Sequence, residues 1–308
     1  MRDPRETFVF STQSYAYLAD ALCREGGLPR GEAEVRRFPD GERYIRVLTA
    51  VDRRDAIVVG GTISDVDTME LYDLACGLVQ CGTRNLTLIV PYFGHSTMER
   101  AVADGEVVTA KTRARLLSTI PKAYHANRVL LLDLHTEGIT HYFEGEVHTV
   151  HLSAREIVAQ AARELGGESF VVGCTDAGRA KWVQKLANEL GVPASFIMKQ
   201  RLGGASTEVV AVSSIVEGAT VVIYDDMIRT GGTLIGAAEA FLDAGAGKVV
   251  AIATHGVFPE RSLERLESSG LFERVLCTDS HPRSVELGGG FLRVVSVAPL
   301  FATHLTEE

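Results

Sequence analysis

Short apolar, β-branched runs recur along the chain at 56–60, 86–90, 129–133, 170–173, 221–225 and 249–253. Stretches with helical spacing follow most of them, at about 67–80, 109–118, 179–190 and 233–244. Strand–helix alternation with nearly all-apolar strands predicts parallel sheets covered on both faces. The two halves echo each other. AIVVGGT at 56–62 pairs with FVVGCTD at 170–176, LTLIVPYFGH at 86–95 with TVVIYDDMIRT at 220–230, and RVLLLDLH at 128–135 with KVVAIATH at 248–255, in the same order. The pattern reads as a degenerate duplication of one α/β unit, with a boundary near 147–153. Two polar stretches interrupt it, YFGHSTMERAVADGEV at 92–107 and the glycine-containing MKQRLGGASTE at 198–208. Both read as loops at the carboxyl ends of strands, where open α/β sheets bind ligands. Loops of this length are often lids.

Composition narrows the class further. At roughly 150 residues per domain, a chain of 308 residues is expected to hold two domains. The formal net charge of −9 argues against nucleic acid or an anionic membrane as a general partner. The five scattered cysteines form no CxxC pair, which fits reduced thiols in a cytoplasmic protein and disfavours zinc. No run approaches the ~18 apolar residues of a membrane helix. The amino terminus has no apolar stretch of signal-peptide length.

The sharpest chemical signal is VVIYDDMIRTGGT at 221–233. A buried strand is expected to end on Asp225 and Asp226. A turn through Arg229, Thr230, Gly231, Gly232 and Thr233 would then open a helix. Backbone N–H groups at a helix N-terminus bind anions, glycines admit a phosphate close to the backbone, and threonine hydroxyls add donors. The carboxylates would lie within reach of sugar hydroxyls or a metal, so one loop could grip both ends of a ribose 5-phosphate. The bland reading of the same string is a strand–turn–helix capped by Asp and Thr. Lys199 and Arg201 are cations that could close over a transferring phosphoryl group, although a Lys-x-Arg in a loop is ordinarily just solvated. Asp133 and His135 at one strand end, with Asp176 at another, could hold Mg²⁺ directly or through water. RFPDGE at 37–42 reads by itself as an ordinary turn.

Taken in order, these segments resemble the ribose-phosphate pyrophosphokinases, the phosphoribosyl pyrophosphate synthetases, over nearly the whole chain. RFPDGE looks like the family's nucleotide-binding turn and LDLH (132–135) like its metal-binding strand end. MKQR (198–201) looks like its catalytic loop and DDMIRTGGT (225–233) like its ribose 5-phosphate loop. The resemblance implies an α/β fold of two tandem type I phosphoribosyltransferase-like domains. Residues 1–149 would form the nucleotide side, with 291–308 as the segment that completes it, and 150–290 the ribose 5-phosphate side. It implies transfer of the β,γ-pyrophosphate of a Mg-nucleoside triphosphate, ATP or another, to the anomeric hydroxyl of ribose 5-phosphate. Phe38, Asp40 and Glu42 would meet the nucleotide, together with Thr97, Met98, Glu99 and Arg100. His135, Asp176 and Asp133 would serve Mg²⁺, and Lys199 and Arg201 the transition state. Asp225 and Asp226 would lie at the ribose, and Arg229 to Thr233 would line the 5-phosphate loop. The family assembles as homo-oligomers, so a dimer-based assembly of up to six subunits is implied.

Two departures from the family pattern stand out. Many members read PYYGYARQDR where this chain reads PYFGHSTMER, so Thr97-Met98 replaces an Arg-Gln pair. This version, with EVVTA at 106–110 and THGVFP at 254–259, looks more like the plant-type class II. That class is associated with looser donor choice and independence from phosphate activation. The second departure is Arg229, where many members have Asp. The rival expectations are a phosphoribosyltransferase using the same acidic loop, and a regulatory homologue that binds synthetase subunits without turning over. Duplicated length and the RFPDGE turn argue against the first; the joint presence of Lys199, Arg201, His135, Asp176 and the 221–233 loop argues against the second.

Overall fold

The structure, a computed structural model, describes residues 6–175, 177–201 and 207–306, and of 177, 198–201 and 207–211 only the backbone. The chain divides into two compact units. One runs to Ser153 and resumes at Ser296; the other is Ala154–Val295.

In the first unit the order is β1 (Thr7–Ser11), α1 (Ala16–Gly26), β2 (Ala33–Arg37), β3 (Arg43–Val47), β4 (Asp55–Val59), α2 (Asp65–Gln80), β5 (Asn85–Val90), α3 (Thr109–Ser118), β6 (Ala126–Leu132) and β7 (Val147–Leu152). β1, β4, β5, β6 and β7 form a parallel sheet in that order. Val58, Leu88, Val90, Val129 and Leu131 face a core that includes Leu71, Leu74 and Leu78 of α2 and Leu117 of α3. Ser64 caps α2 by accepting from the Asp67 N–H, and Asp65 and Asp67 put negative charge on its first turn, both favourable at a helix N-terminus. β2 and β3 make a separate antiparallel hairpin.

The second unit comprises α4 (Arg155–Gly166), β8 (Phe170–Cys174), α5 (Ala180–Leu190), β9 (Ala194–Ser195), β10 (Ile197–Arg201), β11 (Thr207–Val212), β12 (Thr220–Ile228), α6 (Gly232–Asp243), β13 (Lys248–Gly256), α7 (Ser262–Ser268), β14 (Arg274–Thr278), α8 (Pro282–Leu287) and β15 (Leu292–Val295). Its six-stranded parallel sheet has the order β15-β14-β13-β12-β8-β9. Alternation along β12 sends Val221 and Ile223 to one core, with Leu234 and Phe241 of α6 and Leu266 of α7. Val222 and Tyr224 go to the other, with Val158 of α4 and Val183 and Leu186 of α5. A strand buried on both faces accounts for the unbroken apolar run in the sequence. The last helix, α9 (Ala298–Thr306), belongs to the first unit and lies against α1.

The predicted α/β architecture with parallel, helix-flanked sheets is what the chain forms. The three echoed runs become β4-β5-β6 in one sheet and β8-β12-β13 in the other, neighbours in the same order. Two local expectations need correction. β12 does not end at Asp225; it continues to Ile228, because β13 extends beside it and pairs Met227 with His255 and Ile228 with Gly256. The stretch read as a loop at 198–208 is in part a ribbon, with β10 and β11 paired antiparallel and a bulge between Met198 and Lys199. Among the described residues no helix is long and apolar enough to cross a membrane.

Candidate functional site

The carboxyl end of β12 gathers the second unit's chemistry. By strand alternation Asp225 shares the face of Ile223 and Asp226 that of Tyr224. Asp226 is only 3% exposed. The Asp225 carboxylate is held on both oxygens: Thr175 Oγ1 donates to Oδ2 at 3.0 Å, and the Asp226 N–H donates to Oδ1 at 2.9 Å. Arg179, which immediately precedes α5, spans the pair. Its Nε is 3.8 Å from Asp225 Oδ1, and its Nη2 is ion-paired with Asp226 Oδ2. Burial, then the neighbouring Asp226, pushes Asp225 up to about 7; Arg179 and Thr175 pull the other way. The carboxyl therefore titrates in the neutral range.

Beyond β12 the chain turns through Arg229 and Thr230, both exposed, into α6. Gly231 takes the left-handed conformation at the helix start, φ 80° and ψ −7°. A Cβ there would stand 3.0 Å from Leu266 of α7. A Cβ on Gly232 would meet nothing within 4 Å, so open space lies before the first turn of α6. Arg265 of α7 pins the turn, donating from Nη2 to the Thr230 carbonyl at 2.9 Å. The loop thus offers exposed Thr230, Gly232 and Thr233 at a helix N-terminus, the arrangement that binds phosphate. Gly231→Ala combines a left-handed alanine with an over-close contact, and is expected to cost about 2 kcal/mol. Urea denaturation checks this, and an unchanged midpoint contradicts it.

In the first unit, RFPDGE forms the tip of the β2–β3 hairpin. Phe38 N–H donates to the Glu42 carbonyl at 2.9 Å, and Asp40 Oδ1 accepts from the Glu42 N–H at 3.1 Å. Phe38 stays 41% exposed. The Arg36 guanidinium lies 5.2 Å from its centroid and 4.4 Å from that of Tyr44. Asp40 and Glu42 are exposed beside it. An exposed aromatic next to acceptor groups suits a planar base. Arg43 anchors the hairpin to α2, donating to the Val66 carbonyl at 2.7 Å and lying 3.8 Å from both Glu70 and Asp73.

The 92–107 stretch has no regular structure until α3. Its start is tied by Thr62 Oγ1, which accepts from the Gly94 N–H at 2.7 Å. A Cβ on Gly94 would fall 2.0 Å from the Thr62 carbonyl oxygen, so only glycine fits. Thr97, Met98 and Arg100 are exposed. Tyr142 Oη donates to the Glu99 carbonyl at 2.5 Å, and Arg100 Nε is 3.6 Å from the Glu99 carboxylate.

At the end of β6, Asp133 is buried with φ 36°, left-handed for a non-glycine residue. Its N–H donates to the Leu152 carbonyl at 3.0 Å, and the Leu134 N–H donates to His151 Nε2 at 3.0 Å. His135 follows, half-buried. Asp133 and His135 belong to the first unit, while Asp176 lies outside the described residues, as do the side chains of Lys199 and Arg201. Among the described residues no group of three or more His, Cys, Asp or Glu is placed to hold a metal. Sequence reasoning missed Thr175, Arg179, Tyr142 and His151. None carries a local signal, because each acts on a partner distant in sequence.

Residues 7–120 match the family model described as the N-terminal domain of ribose phosphate pyrophosphokinase, and residues 146–280 that of the phosphoribosyl transferase domain. The chain is 35% identical over 301 residues to the ribose-phosphate pyrophosphokinase of Fusobacterium nucleatum, covering 96% of this chain and 93% of the relative. It is 34% identical over 309 residues to that of Corynebacterium efficiens, covering 98% and 93%. The crystal structure of phosphoribosylpyrophosphate synthetase from Mycobacterium smegmatis superposes with a TM-score of 0.86 at 30% identity, over 97% of each chain. With both halves matched in order and relatives covered almost end to end, the chain belongs to the ribose-phosphate pyrophosphokinase family.

Proposed function

We propose that this protein makes 5-phosphoribosyl 1-pyrophosphate from ribose 5-phosphate and a nucleoside triphosphate, ATP in the first instance. The observation that carries this is the end of β12, where buried Asp226 and partly buried Asp225 stand beside an open, glycine-bearing helix N-terminus. Asp225 and Asp226 take the ribose hydroxyls, and Arg229 to Thr233 take the 5-phosphate. Phe38, Asp40 and Glu42 meet the base, and Thr97 to Arg100 the rest of the nucleotide. The anomeric oxygen attacks the β-phosphorus, the bond from the α,β-bridging oxygen to that phosphorus breaks, and the nucleoside monophosphate leaves. The hydroxyl proton is released. Such a transfer needs positioning and charge neutralisation more than covalent catalysis. Lys199 and Arg201 supply the loop cations.

Mg²⁺ is the cofactor this reading requires, and the donors fit it in kind. Asp133 offers a buried carboxylate, a hard oxygen ligand, whereas His135 suits contact through water. Asp133 and His135, with Asp176, would hold the ion, which neutralises phosphate charge when bound. We assign the chain to the plant-type class II on PYFGHSTMER and THGVFP, and expect loose donor choice because Thr97-Met98 offers neither the charge nor the amide of an Arg-Gln pair. A dimer-based homo-oligomer and a cytoplasmic location belong to the same reading; all five cysteines are free thiols, as a reducing compartment favours.

Because Asp225 titrates at about 7, kcat/KM for ribose 5-phosphate is expected to fall as pH drops through neutrality. Asp225 acts oppositely on stability. Its folded pKa lies above the ordinary carboxylate value, so the stability it contributes in acid is lost as pH rises towards 7. A pH series of initial rates and urea midpoints reads both slopes, and a flat rate profile from pH 6 to 8 contradicts the assignment. The test of function is nucleoside monophosphate release from ATP, GTP, CTP and UTP, with Mg²⁺ and with or without inorganic phosphate. Release that depends on ribose 5-phosphate supports the reading, and no release with any donor sinks it.

A further inference from the structure

Arg179 has no evident reason to stand where it does. It occupies the N-cap position of α5 and makes no side-chain cap bond, and a cation at a helix N-terminus opposes the helix dipole. Its side chain is only 18% exposed, although arginine is ordinarily a surface residue. What it meets explains the placement: Nε approaches Asp225 Oδ1 at 3.8 Å, and Nη2 pairs with Asp226 Oδ2. Two adjacent carboxylates, one buried and one partly buried, repel, and a cation spanning them offsets that repulsion. The guanidinium fork suits the task, since two different nitrogens reach two different acids, which a lysine ammonium cannot reproduce.

The position of that fork is preset. One helical turn further on, Trp182 stacks on Tyr224, with ring centroids 3.7 Å apart and planes at 11°. Tyr224 is buried and immediately precedes Asp225; its hydroxyl pairs with Thr254 Oγ1 at 3.2 Å. The end of α5 that carries Arg179 is therefore fixed against the same strand that carries the acids.

We propose that Arg179 is a positioning residue for ribose 5-phosphate, spanning Asp225 and Asp226 and holding the two carboxylates as one oriented acceptor pair for the sugar hydroxyls. This rests on the reading of the β12 loop as the ribose 5-phosphate site. Arg179 acts through the pair and need not touch the sugar. It sets affinity for ribose 5-phosphate and leaves the nucleotide side alone.

The test compares wild type, Arg179→Gln, Arg179→Lys, Asp226→Asn and the double variant Arg179→Gln/Asp226→Asn. Steady-state kinetics gives KM for both substrates, and calorimetry gives Kd for ribose 5-phosphate. Arg179→Gln is expected to raise KM and Kd for ribose 5-phosphate about tenfold, with nucleotide KM within about twofold and kcat within about threefold. Arg179→Lys falls between, because it restores charge without the fork. In the Asp226→Asn background the same Arg179→Gln change is expected to cost less than about threefold, since coupled neighbours do not add. The double variant also removes the charge imbalance left by losing Arg179 from its pair with Asp226, so it is expected to fold even where Arg179→Gln alone does not. Unchanged ribose 5-phosphate KM and Kd in Arg179→Gln, a uniform loss across all parameters, or full additivity with Asp226→Asn overturns the proposal and leaves Arg179 a structural ion pair. Wild-type protein that binds no ribose 5-phosphate overturns instead the reading of the site.

Discussion

Lys199→Ala is expected to lower kcat by at least ~100-fold, by analogy with the loss of a donor aimed at transition-state charge. Charge on the transferring group is spread over its oxygens in a loose transition state, and a loop cation acts on it there more than on bound substrate. The loss therefore falls on kcat, with both KM values nearly unmoved and thermal stability unchanged. Lys199 follows the bulge in β10 within a two-stranded ribbon outside the main sheet. Bulges recur beside active sites, and β10 pairs with β11 apart from the six-stranded sheet. Single-turnover kinetics with saturating substrates separates the chemical step from release. A rate equal to wild type removes Lys199 from the mechanism.

Asp225→Asn is the second large effect. The amide keeps the volume; its oxygen can still accept from the Asp226 N–H, and its nitrogen can donate to the Thr175 hydroxyl oxygen in place of the bond it now accepts, so the fold is expected to survive. What disappears is the negative charge presented to the sugar. Hydrogen bonds to a charged group contribute about 1.5–3 kcal/mol each, and two sugar hydroxyls put the expected loss in kcat/KM at about 100-fold or more. The loss appears mainly in KM for ribose 5-phosphate, and the pH limb near 7 that belongs to Asp225 disappears with it. Initial rates at varied ribose 5-phosphate check both. A variant that keeps the wild-type KM and pH limb shows that another group binds the sugar.

Which features the sequence made legible follows from how local their causes are. β12 and β13 were readable because both faces are buried, so nearly every position is apolar. Helix α3 could be bounded at 109–118 because its helical spacing follows a polar stretch and stops short of Pro121, which cannot continue a helix. The hairpin strands β2 and β3, AEVRR and RYIRV, were not readable as strands. Arg43 is satisfied by Glu70 and Asp73 on α2, and Arg36 and Arg37 by partners within the hairpin, so only the turn between the strands showed. β10 and the start of β11 fell within the stretch read as a loop because 198–208 is polar and glycine-containing, and their pairing joins segments across a turn that no apolar periodicity marks. At the site, the acids and the phosphate turn were contiguous and therefore visible. Arg179 was not, because its role depends on α5 being docked against Tyr224, which no local pattern encodes. The unusual backbone of Asp133, φ 36° at a buried strand end, is likewise imposed by tertiary structure.

In the proposed reaction pyrophosphate moves as a unit from a nucleoside triphosphate to the anomeric oxygen of ribose 5-phosphate. The most direct measurement is a ³¹P spectrum of the purified protein incubated with ribose 5-phosphate, Mg²⁺ and ATP, taken as ATP is consumed. AMP and a new pyrophosphoryl sugar are expected to accumulate in equal amounts, with neither appearing when ribose 5-phosphate is left out. ADP with a sugar bisphosphate, AMP with free pyrophosphate, or no consumption of ATP would contradict the proposed reaction.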